Sequence, residues 1–93
     1  MREVELGVPT GDVSGQIESL AALAGLRIRL RGTLAAHLGC VHWHFGKPPE
    51  KGTLEVTWWP SQSRLWLKVH PMRDAVWIPG AIDLFEQRFG NAL

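Results

Sequence analysis

Leu54-Glu55-Val56-Thr57-Trp58-Trp59-Pro60-Ser61-Gln62-Ser63-Arg64-Leu65-Trp66-Leu67-Lys68-Val69 is the stretch that decides the fold. Apolar and polar residues alternate on both sides of the turn Pro60-Ser61-Gln62-Ser63, the pattern of two half-buried strands joined as a hairpin. A four-residue turn sets Trp59 opposite Arg64, Thr57 opposite Trp66 and Glu55 opposite Lys68. The same register sets Trp58 opposite Leu65, Val56 opposite Leu67 and Leu54 opposite Val69, an entirely apolar face. A one-residue slip would mix the two faces, so the pattern itself fixes the pairing.

The alternation extends toward the N-terminus. Val41, Trp43 and Phe45 alternate with His42 and His44, and Leu26, Ile28 and Leu30 alternate with Arg27, Arg29 and Arg31. The link Lys47–Gly52 sets His44 beside Glu55 and His42 beside Thr57. These segments read as a four-stranded antiparallel meander over about 26–36, 40–46, 53–59 and 64–70, with the histidines and arginines on its polar face. Residues 36–39 turn between the first two strands, and Thr33 to Leu38 is compatible with either an extended segment or a helical turn.

Two helices flank the meander. Asp12 or Ser14 caps one that runs to about Ala24, with Ile17, Leu20, Ala21 and Ala24 at helical spacing and Gly25 as its stop. The second begins near Pro79, carries the stripe Ile78, Ile82, Phe85 and Phe89, and ends at Gly90. Val4, Leu6 and Val8 alternate with Glu3 and Glu5, so residues 2–8 read as a fifth strand. A β-α-β crossover would place it beside the arginine-rich strand and bring Glu3 and Glu5 near Arg27, Arg29 and Arg31. The predicted fold class is therefore α+β: one domain over 1–93, in two layers, with both helices on the apolar face of the sheet.

The composition is that of a folded chain, with 45% hydrophobic and 20% charged residues, and favours neither a disordered nor a membrane class. A single cysteine, Cys40, forms no internal disulfide and reads as a small apolar strand residue. The N-terminus lacks the basic-then-apolar pattern of a secretory signal, and the cytoplasm is the expected compartment. The net charge of +1 is unevenly spread: residues 1–24 carry −3, residues 25–73 carry +6 and residues 74–93 carry −2. This basic sheet either attracts an anionic partner or is neutralised by its own acidic flanks.

The polar face supplies the candidate chemistry. Arg27, Arg29, Arg31, Arg64 and Lys68 provide cations, and Trp59 and Trp66 provide aromatic surface where solvent is expected. Such a surface fits a second copy of the chain or another protein, and equally a single-stranded nucleic acid whose phosphates meet the cations and whose bases stack on indole. His42, His44 and Glu55 form a different constellation, two imidazoles and a carboxylate on one face with the donor types of a divalent-metal site. Against it, Lys68 competes for Glu55, and in a regular sheet His70 lies too far from Glu55 to join. Ser14, Ser19, Ser61 and Ser63 fall in caps or turns without a nucleophile context, and no glycine-rich phosphate loop is present. His37, beside a turn, is expected to face solvent. Trp43, Trp58 and Trp77 are expected in the core or at helix contacts, with their indole N–H groups partnered.

The sequence is thus read as a small cytoplasmic binding module, homodimeric, that acts through Arg27, Arg29, Arg31, Trp59, Arg64, Trp66 and Lys68. It has no catalytic residues, cofactor or membrane contact of its own. The alternatives are a single-stranded nucleic-acid-binding protein and a metal-dependent enzyme centred on His42, His44 and Glu55.

Overall fold

The computed structural model describes residues 2–91. Their elements run β1 (Arg2–Leu6), α1 (Val13–Leu23), β2 (Arg27–Gly32), β3 (Val41–Gly46), β4 (Leu54–Trp59), β5 (Arg64–Val69) and α2 (Ile78–Phe89), with 3-10 turns at Pro60–Gln62 and Pro71–Arg73. The strands form one antiparallel sheet in the order β1-β5-β4-β3-β2. This is an α+β fold with an open sheet, and residues 2–6 supply the fifth strand.

The β4–β5 hairpin has the register that alternation predicts, with Glu55 opposite Lys68, Thr57 opposite Trp66 and Trp59 opposite Arg64. Its turn is closed by Ser63 in the left-handed region. The β3–β4 register likewise pairs His44 with Glu55 and His42 with Thr57. Leu54, Val56, Leu65 and Leu67 are fully buried and Val69 nearly so. With Trp43, Phe45 and Leu6 they meet Val13, Ile17 and Ala21 of α1 and Ile78, Ile82 and Phe85 of α2. Burial of these apolar faces is the main source of stability for two such layers.

Helix α1 starts where Asp12 accepts a hydrogen bond from the Gly15 N–H (3.0 Å) and stops before Gly25, whose φ of 78° suits glycine. Helix α2 carries Pro79 in its first turn and ends at Gly90. Two indoles expected in the core have partners: Trp43 Nε1–H donates to Glu18 Oε2 (2.9 Å) and Trp77 Nε1–H donates to the Lys51 carbonyl (2.6 Å).

Two expectations about the sheet edges are corrected. Strand β1 does not lie beside the arginine-rich strand. It pairs antiparallel with β5, at the opposite edge from β2, so that Glu3 faces Lys68 and Glu5 faces Trp66. Strand β5 would otherwise be a bare edge of unpaired backbone groups, and the alternating Val4 and Leu6 extend the apolar face there.

The second correction concerns β2. A bulge between Ile28 and Leu30 shifts the register, so Leu30 stands opposite His44 and Arg31 opposite Trp43. The extra residue is Arg29, and beyond it the two faces exchange places. Arg31, expected on the polar face, instead reaches the helix layer, where Nη1 meets Glu18 Oε2 at 2.9 Å and the guanidinium lies 5.8 Å from the Trp43 ring centroid. Arg29 lies across Gly46, where a Cβ would collide with its guanidinium, and donates a long bond to the Gly52 carbonyl (3.5 Å). Leu30, expected in the core, is exposed.

Candidate metal centre

Beyond the bulge, the connection from β2 to β3 folds back over the polar face of the sheet. The Trp59 Nε1–H donates to the Leu38 carbonyl (2.9 Å), and the Leu34 N–H donates to the thiol sulfur of buried Cys40 (3.2 Å). Between these anchors His37 packs edge-on against Trp59, with ring centroids 4.6 Å apart, and tilts over Trp66 at 5.3 Å. His37 is therefore half-buried rather than solvent-facing. Sequence periodicity carries no signal for this, because residues 33–40 belong to neither strand.

This cover changes the aromatic face. Trp66 is only 5% exposed, with the Arg64 guanidinium 4.1 Å from its ring centroid and His37 close to the same ring. Arg64 in turn donates from Nε to Glu5 Oε1 (2.8 Å) and forms an ion pair with it. Of the predicted surface set, Trp59, Arg64, Trp66 and Lys68 share the outer face near one another. Arg27 and Arg29 lie at the β2 edge, and Arg31 points to the helices. The Trp66 indole is covered by the chain's own Arg64 and His37, and Trp59 is half-buried.

Under and beside this loop lie His42, His44, Thr57 and Glu55. All but His44 are buried, although they belong to the polar face. Alternation along β3 points both imidazoles the same way, and the β3–β4 register puts the carboxylate next to them. His42 Nε2 and His44 Nε2 are 3.1 Å apart, and Glu55 Oε1 lies 3.4 Å from the first and 3.8 Å from the second. On its other side His42 Nδ1 is hydrogen-bonded to Thr57 Oγ1 at 2.7 Å. Burial, followed by the neighbouring His44, pushes the His42 pKa below the ordinary imidazole value, and Lys68 acts in the same direction against an opposing pull from Glu55. A neutral imidazole is the ligating form.

His70 joins the group, contrary to the expectation that it lies too far away. Its Nε2 is 3.3 Å from Glu55 Oε2. His70 is two residues beyond Lys68, the residue opposite Glu55. It therefore occupies the diagonal position on the same face, about 7–8 Å away at the backbone and within reach of two long side chains. The register was legible; the span of the side chains across it was underestimated.

Glu55 is thus shared, with Oε1 turned to His42 and His44 and Oε2 held by His70. Lys68, expected to pair with Glu55, does not: among the described residues its ammonium has no carboxylate within the 4.0 Å of an ion pair. Lys68 and His37 instead line, with His42, Glu55 and Trp66, a cleft of about 200 Å³ above the histidine–carboxylate group. No protein-family model, curated protein or solved structure matches the chain.

Proposed function

We propose that this protein is a metal-dependent enzyme that holds one divalent transition-metal ion of the zinc type through His42 Nε2, His44 Nε2 and Glu55 Oε1. One observation carries this reading. The three donor atoms form a triangle with edges of 3.1, 3.4 and 3.8 Å. Ligand atoms about 2.0–2.1 Å from a tetrahedral ion lie roughly 3.3–3.4 Å from one another, so an ion seated over this triangle needs only small adjustments. Two nitrogens and one oxygen suit zinc, iron or cobalt better than calcium or magnesium, which favour oxygen alone.

The surroundings support the same reading. Thr57 engages the far nitrogen of His42 and His70 engages the far oxygen of Glu55, the kind of outer contacts that orient metal ligands. Three protein ligands would leave one position of a tetrahedral ion open, and two of them, His42 and Glu55, line the cleft. An open position of this sort is the mark of sites that activate water or polarise a bound oxygen, whereas structural zinc sites are closed by four protein ligands. The readings of the outer face as a contact for a second copy or as a base-stacking platform draw less support, because the Trp66 ring is already covered by Arg64 and His37.

The test is metal content and spectroscopy on protein produced without a histidine tag. One zinc or iron per chain is expected after purification. Cobalt substitution is expected to give the visible absorption of a low-symmetry site, and His42→Ala and Glu55→Gln should abolish it. Protein that takes up no stoichiometric metal at micromolar concentration would overturn the proposal.

A further inference from the structure

The cleft above the candidate metal centre is lined by Lys68 and His37, among others. Lys68 is half-buried and stands between Glu3 and Glu55 in register, yet among the described residues it forms an ion pair with neither. His37 Nδ1 is buried and, among the described residues, has no hydrogen-bond partner. Buried polar atoms without partners are few in folded proteins, and each invites an explanation. Two neighbouring charges are committed elsewhere, Arg64 to Glu5 and Glu55 to its three histidines. What remains lining the cleft is the Lys68 cation, beside His42 and Glu55 of the candidate metal centre.

We propose that this cleft takes a small anion, a carboxylate or phosphate group, with one oxygen on the metal and another on the Lys68 ammonium. The inference rests on the metal assignment and adds the chemical class of the ligand. An anion is the species that satisfies a cation and a Lewis acid together. The size is consistent: about 200 Å³ is below the roughly 300–1,000 Å³ of sites for drug-sized ligands and suits a group of few heavy atoms. Glu3 also borders the cleft, but it is exposed, where solvent and salt screen its charge.

The experiment uses the cobalt-loaded full chain, with acetate, inorganic phosphate and neutral imidazole as probes read by changes in visible absorption. Saturable spectral changes are expected with at least one anion, and the anion bound more tightly identifies the carboxylate or phosphate source. Lys68→Gln should weaken anion binding roughly ten- to a hundredfold, the scale of one charge-assisted hydrogen bond. Imidazole binding should stay within about twofold, because a neutral ligand gains little from the ammonium. Glu3→Gln, which removes an exposed carboxylate, should leave anion binding equal or tighter. Cobalt uptake with anion affinity indifferent to Lys68, or with no anion effect at all, overturns this inference and leaves the metal assignment standing. Failure to take up cobalt overturns both.

Discussion

Nε2 of His42 and Nε2 of His44 face each other at 3.1 Å. Two imidazole nitrogens in such contact must differ, one carrying a proton and the other a lone pair. A metal ion between them and Glu55 would remove the difference, because both nitrogens then ligate through lone pairs and the proton of each ring resides on Nδ1. Nitrogen-15 NMR of the imidazoles is expected to show one protonated and one unprotonated Nε2 without metal, and two metal-bound Nε2 atoms with zinc.

Thr57 is hydrogen-bonded to the candidate centre at His42 Nδ1. Thr57→Val keeps the shape and removes the oxygen, so it should weaken metal binding by about 10–100-fold, the usual loss when an outer-shell partner of a ligating histidine is deleted. Competition against a coloured chelator measures the change, and Thr57→Ser should retain most of the affinity.

The depressed pKa of His42 makes a stability prediction for the metal-free protein. Above about pH 6.5 His42 is neutral in both folded and unfolded chains and contributes no pH dependence. As the pH falls below that value the unfolded chain gains a proton that the folded chain resists, so stability declines until the folded-state pKa is passed. Urea midpoints measured in the presence of a chelator should fall from pH 7.5 to pH 5, and His42→Gln should flatten part of that slope.

Leu67 is fully buried between Val4 and Val56 in the sheet register and belongs to the core beneath the helices. Leu67→Ala should cost about 2–5 kcal/mol, as removal of a buried leucine side chain does elsewhere. Equilibrium urea unfolding with an unchanged slope would confirm the loss as one of packing.

Glu18 serves two partners, the Trp43 indole and Arg31. Glu18→Ala leaves a buried indole without its acceptor and should cost about 1–3 kcal/mol. Arg31→Ala removes a side chain that is half exposed in its ion pair, and solvent screening should hold its cost below about 1 kcal/mol. Thermal or urea unfolding of the two variants ranks them, and Glu18→Gln, which keeps an acceptor, should fall between.

The β3, β4 and β5 registers were legible because each strand alternates without interruption and a slip would bury charge. The placement of His42, His44 and Glu55 on one face followed directly from those registers. Strand β2 was misread beyond Ile28 for a related reason: alternation alone assumes one residue per step, and the arginine–aliphatic repeat looks equally regular with or without a bulge. Its true phase is set by contacts distant in sequence, Arg31 with Glu18 and Arg29 over Gly46. The edge taken by β1 was hidden similarly, since Glu5 finds Arg64 only once the sheet is assembled. His37 escaped notice because an irregular loop has no period.

The kink at Arg29 also bears on how copies of this chain behave in a crowded solution. An open sheet ends in strands whose backbone groups on one side are unpaired, and such strands recruit others into aggregates. Here β2 breaks its own regularity midway and presents arginines on both sides of the break, so an incoming copy of the same strand would meet an interrupted ladder and like charge. The irregularity that sends Arg31 to the helices thereby makes this edge a poor template for growth.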